Sequence, residues 1–450
     1  MATDNSASIG KDADTAARTG RRPMWQSAVG ALGSRAIDIP SRYGFHLIVA
    51  GKLGLVAAGA FYIVFSVITL VAGAGRLGVD RAMTREVARA LARDEPARAR
   101  RTIRNGMARV ACLSALVACL MAALSGTIAD RVFDNPALVW PLVLGAATIV
   151  PLCLSAAAGG ALAGLHRIAL SQMIYSWLWP ALFCLCALPL SLDLNGIMLL
   201  LFGATSVAAL VSFGLLLWFL PARSAEAESG MPTANLMTLG WSLFTTEIVQ
   251  LLNAAMPALV LGVLSTQAAV GEYAMAWRLA LILNLLVVAI AAMASPRFAD
   301  QSARGDIEGL RATAAGSVGL VLALGLGPLV VLWIGAPVFL GLFGEGFVAA
   351  TTTMRILLVG QFVLMLAAGS PELLGMSGHE RTMQRINNLA IVLYLPALAG
   401  LAWTMSAEGA AVASILIAAV TAFGAVRLGV RYFGFVPVVA LVRSLQSRRA

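Results

Sequence analysis

Residues 54–75, GLVAAGAFYIVFSVITLVAGAG, decide the class of this protein. They carry no charge. As a helix rising 1.5 Å per residue they extend about 33 Å, enough to cross the roughly 30 Å hydrocarbon core of a bilayer. The apolar residues run continuously instead of alternating, which excludes a lipid-facing β-strand. A second apolar run, 33–50, lies just upstream, with Lys52 and Gly54 between the two. Read as one helix, 43–75 would extend about 50 Å, too long for a single crossing. The sequence therefore predicts two spans joined at an outer turn.

Working outward, such runs recur at about 108–129, 138–161, 172–191, 196–220, 238–263, 270–295, 313–334, 353–374, 387–404 and 410–428. Of the 450 residues, 60% are hydrophobic and only 12% charged, about half the charge of a soluble domain, and mean hydropathy is +0.86. A water-soluble enzyme, a disordered chain and a fibrous protein are excluded. The fold class is an all-α polytopic membrane protein of about twelve transmembrane helices. The polar segment 221–237 (PARSAEAESGMPTANLM) reads as a linker. It divides the chain into a polar N-terminal segment 1–32, a six-helix lobe 33–220, a second six-helix lobe 238–428 and a basic tail 429–450.

Lys and Arg total 32 against 22 Asp and Glu, a net charge of +10. Between hydrophobic spans this excess reports orientation, not nucleic-acid binding. Ten arginines crowd 76–109, and Arg297, Arg304, Arg311, Arg381 and Arg385 follow later spans on the same side. The alternate loops hold only Lys52, Arg131 and Arg355. Both termini are thus expected in the cytoplasm. Within that loop, RAMTREVARALARDEPARARR also reads as a basic amphipathic helix up to Pro96, on which anionic lipid would dock; plain positive-inside topology is the favoured account of the charge.

An internal repeat runs at an offset of about 212. Gly59-Ala60-Phe61 faces Gly271-Glu272-Tyr273, Asp94 faces Asp306, and His166-Arg167 meets His379 and Arg381. Halves of six spans keep the same orientation, and parallel repeats of this kind place a binding site between the halves.

Arg35, Asp38, Arg42 and His46 fall at roughly 0°, 300°, 340° and 20° around the first span, one face. Each ionised group near the bilayer centre costs on the order of 3 kcal/mol, so the stripe is expected to face protein or water. Pro40 inside it is expected to kink the helix. In the seventh span Ser242, Thr246, Gln250 and Asn253 form a second polar face with Glu247 at its edge, and the eighth adds Arg278. Structural readings stand beside this one. Arg35 and Asp38 would snorkel to headgroups, Arg278 would pair with Glu247 to hold two helices, and His46 would be a hydrogen-bonded core residue. Arginines suit bidentate phosphate, so a cavity lined by Arg35, Arg42 and Arg278 fits an anionic, phosphate-bearing cargo.

Cys112, Cys119, Cys153, Cys184 and Cys186 all lie in apolar runs without metal-ligand spacing; they are expected to be buried thiols, and no metal is expected. No Walker motif occurs, so neither ATP hydrolysis nor another cofactor is expected. Residues 1–27 lack an apolar stretch before a cleavage site, so no signal peptide is expected.

Lys52-Leu53-Gly54 followed by Gly59-Ala60-Phe61-Tyr62 resembles the "A-R-x-L-G-P-x-x-F-G-x-Y" turn of polysaccharide-biosynthesis flippases in the multidrug/oligosaccharidyl-lipid/polysaccharide (MATE-like) exporter superfamily. Leu77-Gly78 with Arg81, Arg85 and Arg89 is similar to the family's next loop. So are Val270-Gly271-Glu272-Tyr273 with Arg278, Ser295-Pro296-Arg297-Phe298-Ala299, Gly305-Asp306 and Leu342-Phe343-Gly344-Glu345-Gly346-Phe347 to its later segments. Lys52 stands where the family has Arg, and the "P-x-x-F" is absent. The resemblance covers about residues 28–430.

The resemblance implies two six-helix lobes in a V around a central cavity. It implies movement of undecaprenyl-pyrophosphate-linked oligosaccharide across the bacterial inner membrane by alternating access. Arg42, Arg278 and Arg35 would meet the pyrophosphate, while Gln250, Asn253 and Thr246 would contact sugar. Asp38, His46 or Glu247 would serve any ion coupling. The expected partners are the lipid-linked oligosaccharide and membrane lipids, with a polysaccharide polymerase and glycosyltransferases as candidates and no nucleic acid. A proton- or sodium-coupled multidrug exporter of the same superfamily is the alternative, and a non-transporting scaffold or polymerase a third reading.

Overall fold

Helix is dictated nearly everywhere, because a backbone in lipid must satisfy its own hydrogen bonds. The computed structural model describes the backbone of residues 24–221 and 236–447, and not the side chains of 24–36, Ser242, Thr245, Thr246 and part of the last helix. The side chains of Arg35 and Thr246 and the linker positions 222–235 thus lie outside the described residues. No strand occurs among those described.

The first lobe consists of α1 (Met24–Arg76), α2 (Val79–Ala92), α3 (Pro96–Thr127), α4 (Val139–Gly164), α5 (Ile168–Ser176), α6 (Leu178–Ala187) and α7 (Leu194–Trp218). The second consists of α8 (Leu236–Leu264), α9 (Gln267–Ala303), α10 (Ile307–Ile334), α11 (Ala336–Gly341), α12 (Thr351–Leu366), α13 (Ser370–Met376), α14 (Glu380–Phe433) and α15 (Pro437–Ser447). Nine helices among the described residues are long and apolar enough to cross a membrane, ten if α5 and α6 form one bent span. Two of the nine hold a break, at Gly54 in α1 and at Ser406 in α14. Separating the arms on either side of each break gives about twelve passes, in two lobes of six.

The expected turn between the first two spans lies at Gly54 (φ 69°, ψ −179°), a conformation only glycine adopts without strain. Pro40 lies inside the helix, and Gly54 is the one position where α1 leaves helical φ/ψ. Two further features lie beyond what the spans foretold. The fifth span is bent by 46° between α5 and α6, because Pro180 has no N–H for the Ser176 carbonyl one turn earlier. Within the tail, α14 continues to Phe433, and α15 packs on α10 with Leu441 over Gly319.

The arginine-rich segment does form an amphipathic helix, α2. Its apolar face is covered by protein, with Met83 against Gly106 of α3 and Val87 against Gly164 of α4.

The repeat is visible in the backbone. The Glu95 N–H reaches back to the Ala90 carbonyl (2.9 Å) and the Asp306 N–H to that of Gln301 (3.0 Å). The Arg167 N–H bonds the Leu162 carbonyl (2.8 Å) and the His379 N–H that of Leu374 (2.9 Å). These six-to-one closures each follow a left-handed residue, Asp94, Gly305, His166 and Gly378 respectively, the pattern of a helix-ending Schellman turn. They recur at offsets of 211 and 212. Gly59 and Gly271, matched by the same offset, pack backbone to backbone: a Cβ on Gly59 would fall on the Gln267 carbonyl, and one on Gly271 would sit 2.5 Å from that of Leu55. These repeat-related glycines let α1 and α9, one from each lobe, approach closely.

Candidate functional site: the cleft between the lobes

Three adjoining cavities run from one lobe into the other. The first, about 460 Å³, lies in the N-terminal lobe between α1, α4, α5 and α6, and Arg42, Arg76, Ser155 and Tyr175 line it. The second, about 210 Å³, lies between the lobes, lined by His46, Tyr62, Tyr273, Trp277 and Arg278. It shares Phe65 and Thr69 with the first. The third, about 220 Å³, lies in the C-terminal lobe and shares Trp277 with the second. Gln250, Asn253, Gln361 and Asn387 line it.

Arg42 is held by its neighbours' chemistry. Its Nε lies 2.7 Å from Asp38 Oδ1, one turn away, and donates to the Ser176 carbonyl at 3.3 Å. That carbonyl is the one Pro180 leaves without an intrahelical donor. The rest of the guanidinium faces the cavity, and the side chain keeps 53% exposure. The arm is pinned by Phe45, set edge-on against Phe61, Trp179 and Phe183 at centroid distances of 5.9, 5.1 and 4.8 Å.

Arg278 stacks over the Tyr62 ring with Cζ 4.0 Å from the centroid, and Nη1 donates to the Ala274 carbonyl at 2.7 Å. Its Nε is buried without a hydrogen-bond partner. Among the described residues Arg278 forms no ion pair, which overturns the structural reading that joined it to Glu247. His46 Nδ1 lies 3.1 Å from the Tyr62 hydroxyl, so the same tyrosine touches both. Tyr43 and His46 lie within electrostatic range of Arg42 and Arg278 alike.

Glu247 is occupied elsewhere. Its carboxylate lies 3.0 Å from Arg76 Nη2 and 3.5 Å from Arg81 Nε. Arg76 also reaches Asp80 Oδ2 at 3.3 Å, to which the Tyr175 hydroxyl donates at 3.3 Å. Glu247 is on α8 and the rest belong to the first lobe, so the network joins the lobes at the arginine-rich end. Arg76 and Tyr175 line the first cavity, and sequence reading missed both. Arg76 counted as one of ten topological arginines; the four-residue spacing to Asp80 was the available signal. Lys52 does not face the cleft: Nζ donates to the Leu190 carbonyl at 2.6 Å, tying the Gly54 turn to the end of the fifth span. Among the described residues no cluster of three or more His, Cys, Asp or Glu could hold a metal ion.

Residues 41–301 match a protein family described as Polysaccharide biosynthesis protein. The chain belongs to that family. Solved structures similar to this polysaccharide biosynthesis protein include a multidrug resistance MATE family transporter of the MOP superfamily in an inward-facing conformation. It is 13% identical, with a TM-score of 0.71, over 90% of this chain and 98% of that one. The lipid II flippase MurJ in an inward closed conformation is 11% identical, TM-score 0.70, over 92% of this chain and 88% of that one. A MOP superfamily transporter from Pyrococcus furiosus, described as having a binding pocket of reverse polarity, is 12% identical with a TM-score of 0.53, over 90% and 94%. No curated protein matches the sequence. Family and fold together make this a multi-pass membrane protein of the polysaccharide biosynthesis family with a MATE-like fold.

Proposed function

We propose that the protein is a flippase that carries undecaprenyl-pyrophosphate-linked oligosaccharide across the bacterial inner membrane for surface polysaccharide synthesis. One observation supports this most: the cationic side chains Arg42 and Arg278 line two adjoining cavities, and an amide-lined one without charged residues borders the second. Guanidinium groups suit the diphosphate, and Gln250 and Asn253, with Thr246, suit sugar hydroxyls. Loading takes place at the arginine-rich end, which the loop charges put in the cytoplasm together with both termini. The two lobes then open alternately.

A cation-coupled drug exporter of the same superfamily fits the cleft less well. The carboxylates nearest the cleft, Asp38 and Glu247, already face arginines, so an organic cation would find no free anion among them.

The test is translocation of a fluorescent prenyl-diphosphate sugar in proteoliposomes. Arg42→Met with Arg278→Met should reduce the rate at least a hundredfold while the protein still inserts. An unchanged rate sinks the assignment.

A further inference from the structure

Two arginines of the first lobe close on a single carboxylate of the second. Arg76 Nη2 lies 3.0 Å from Glu247 Oε1 and Arg81 Nε 3.5 Å from Glu247 Oε2, so each carboxylate oxygen meets a different guanidinium. Guanidinium groups take the paired oxygens of a phosphate in the same way. Arg76 is held in this posture from its own lobe: Nη1 donates to Asp80 Oδ2 at 3.3 Å and Nε to the Ala72 carbonyl at 3.4 Å. Asp80 is 2% exposed and also accepts from the Tyr175 hydroxyl. When Glu247 departs with its lobe, Asp80 stays, and the two arginines keep one positive charge in surplus. Arg81 is half exposed, and Arg76 lines the same cavity of about 460 Å³ as Arg42. The arms of α1 meet at Gly54. At 1.5 Å per residue Arg42 lies about 18 Å and Arg76 about 33 Å from that turn, so Arg76 stands about 15 Å nearer the arginine-rich end.

We propose that Arg76 and Arg81 form the entry site for the cargo's diphosphate, and that Glu247 is a built-in stand-in for that anion, occupying the pair whenever the lobes close at this end. The inference rests on the flippase reading and adds the step between loading and the deeper arginines. Glu247 and a diphosphate cannot hold the same two guanidinium groups at once. Closure therefore waits until the diphosphate has moved along the shared cavity to Arg42, and Glu247 then bars its return. The competition is reciprocal: an anion on the pair loosens the closure, and a weakened closure raises affinity for the anion.

The test is calorimetric titration with inorganic pyrophosphate of the full chain in phosphatidylcholine nanodiscs. Arg42→Met with Arg278→Met removes the deeper arginines and isolates the entry site. Adding Glu247→Gln to that background should tighten pyrophosphate binding about tenfold, and adding Arg81→Met as well should abolish the gain. Glu247→Asp, one methylene shorter, should shift affinity in the same direction and replaces the glutamine variant if that one fails to insert. In the unmodified protein pyrophosphate should raise hydrogen exchange in 240–250 and not in α10. A carboxylate that only fastens the lobes predicts no dependence of affinity on Glu247 in this background. That result overturns the proposal, as does a gain that survives Arg81→Met. A gain that vanishes in nanodiscs containing phosphatidylglycerol assigns the pair to a phospholipid headgroup and overturns its role for cargo. The flippase reading fails separately, if the unmodified protein carries no prenyl-diphosphate sugar in proteoliposomes while the pyrophosphate titrations come out as expected.

Discussion

At the scale of the residue, Arg278 shows why charge and shape both matter in the cleft. Its guanidinium lies over the Tyr62 ring and lacks an ion-pair partner among the described residues. Lysine keeps the charge but not the planar face. Arg278→Lys should therefore retain part of the transport rate, Arg278→Met essentially none, and Tyr62→Leu should resemble the lysine variant through loss of about 1–2 kcal/mol of cation–π contact. Initial translocation rates in proteoliposomes rank the three. Arg42 and Arg278 were legible as site candidates because ionised groups are rare inside apolar runs. Arg76 was not, since an arginine just past the end of a span looks like topology until its partners Asp80 and Glu247 are seen.

At the scale of the element, two departures from straight helix set the site. Pro180→Ala restores an N–H to compete for the Ser176 carbonyl. The α5–α6 bend should then relax, Arg42 should lose one of its two anchors, and transport should fall several-fold with the fold intact. Helical content by circular dichroism, measured beside the translocation rate, checks this. Gly54→Ala forces a Cβ into φ 69°, ψ −179° and should destabilise by about 1–3 kcal/mol, read as a lower melting temperature in detergent. The turn at Gly54 was legible from span length. The bend was not read from Pro180, because Pro151, Pro257 and Pro328 also lie within spans whose helices continue through them; which proline breaks a helix depends on what replaces the lost bond.

At the scale of the whole molecule, the lobes meet at both ends of the cleft. At the arginine-rich end Glu247 faces Arg76 and Arg81, and Gly78 packs on Gly240. Glu247→Gln leaves two arginines less compensated and should destabilise this closure by about 1–3 kcal/mol, below the range for a fully buried pair because Arg81 is half exposed. Hydrogen exchange should then rise in 79–92 and 240–250 and stay constant in α10. At the opposite end, Gly59→Val places side-chain atoms on the Gln267 carbonyl. It should hold that end apart and abolish transport, with increased thiol labelling of a cysteine introduced at Thr266 as the readout.

The amino-acid sequence by itself determined the solvent, the helical class, the approximate number of passes and the two arginines worth watching. Each of these follows from transfer free energy along the chain, which is local and additive. Only the tertiary structure decided which carboxylate each arginine meets, that repeat-related Gly59 and Gly271 pack against each other, and that the cavities lined by Arg42 and by Arg278 adjoin. Those facts depend on how helices far apart in sequence pack, and in lipid that packing is chosen by shape and by satisfied polar groups, which hydrophobicity along the chain does not encode.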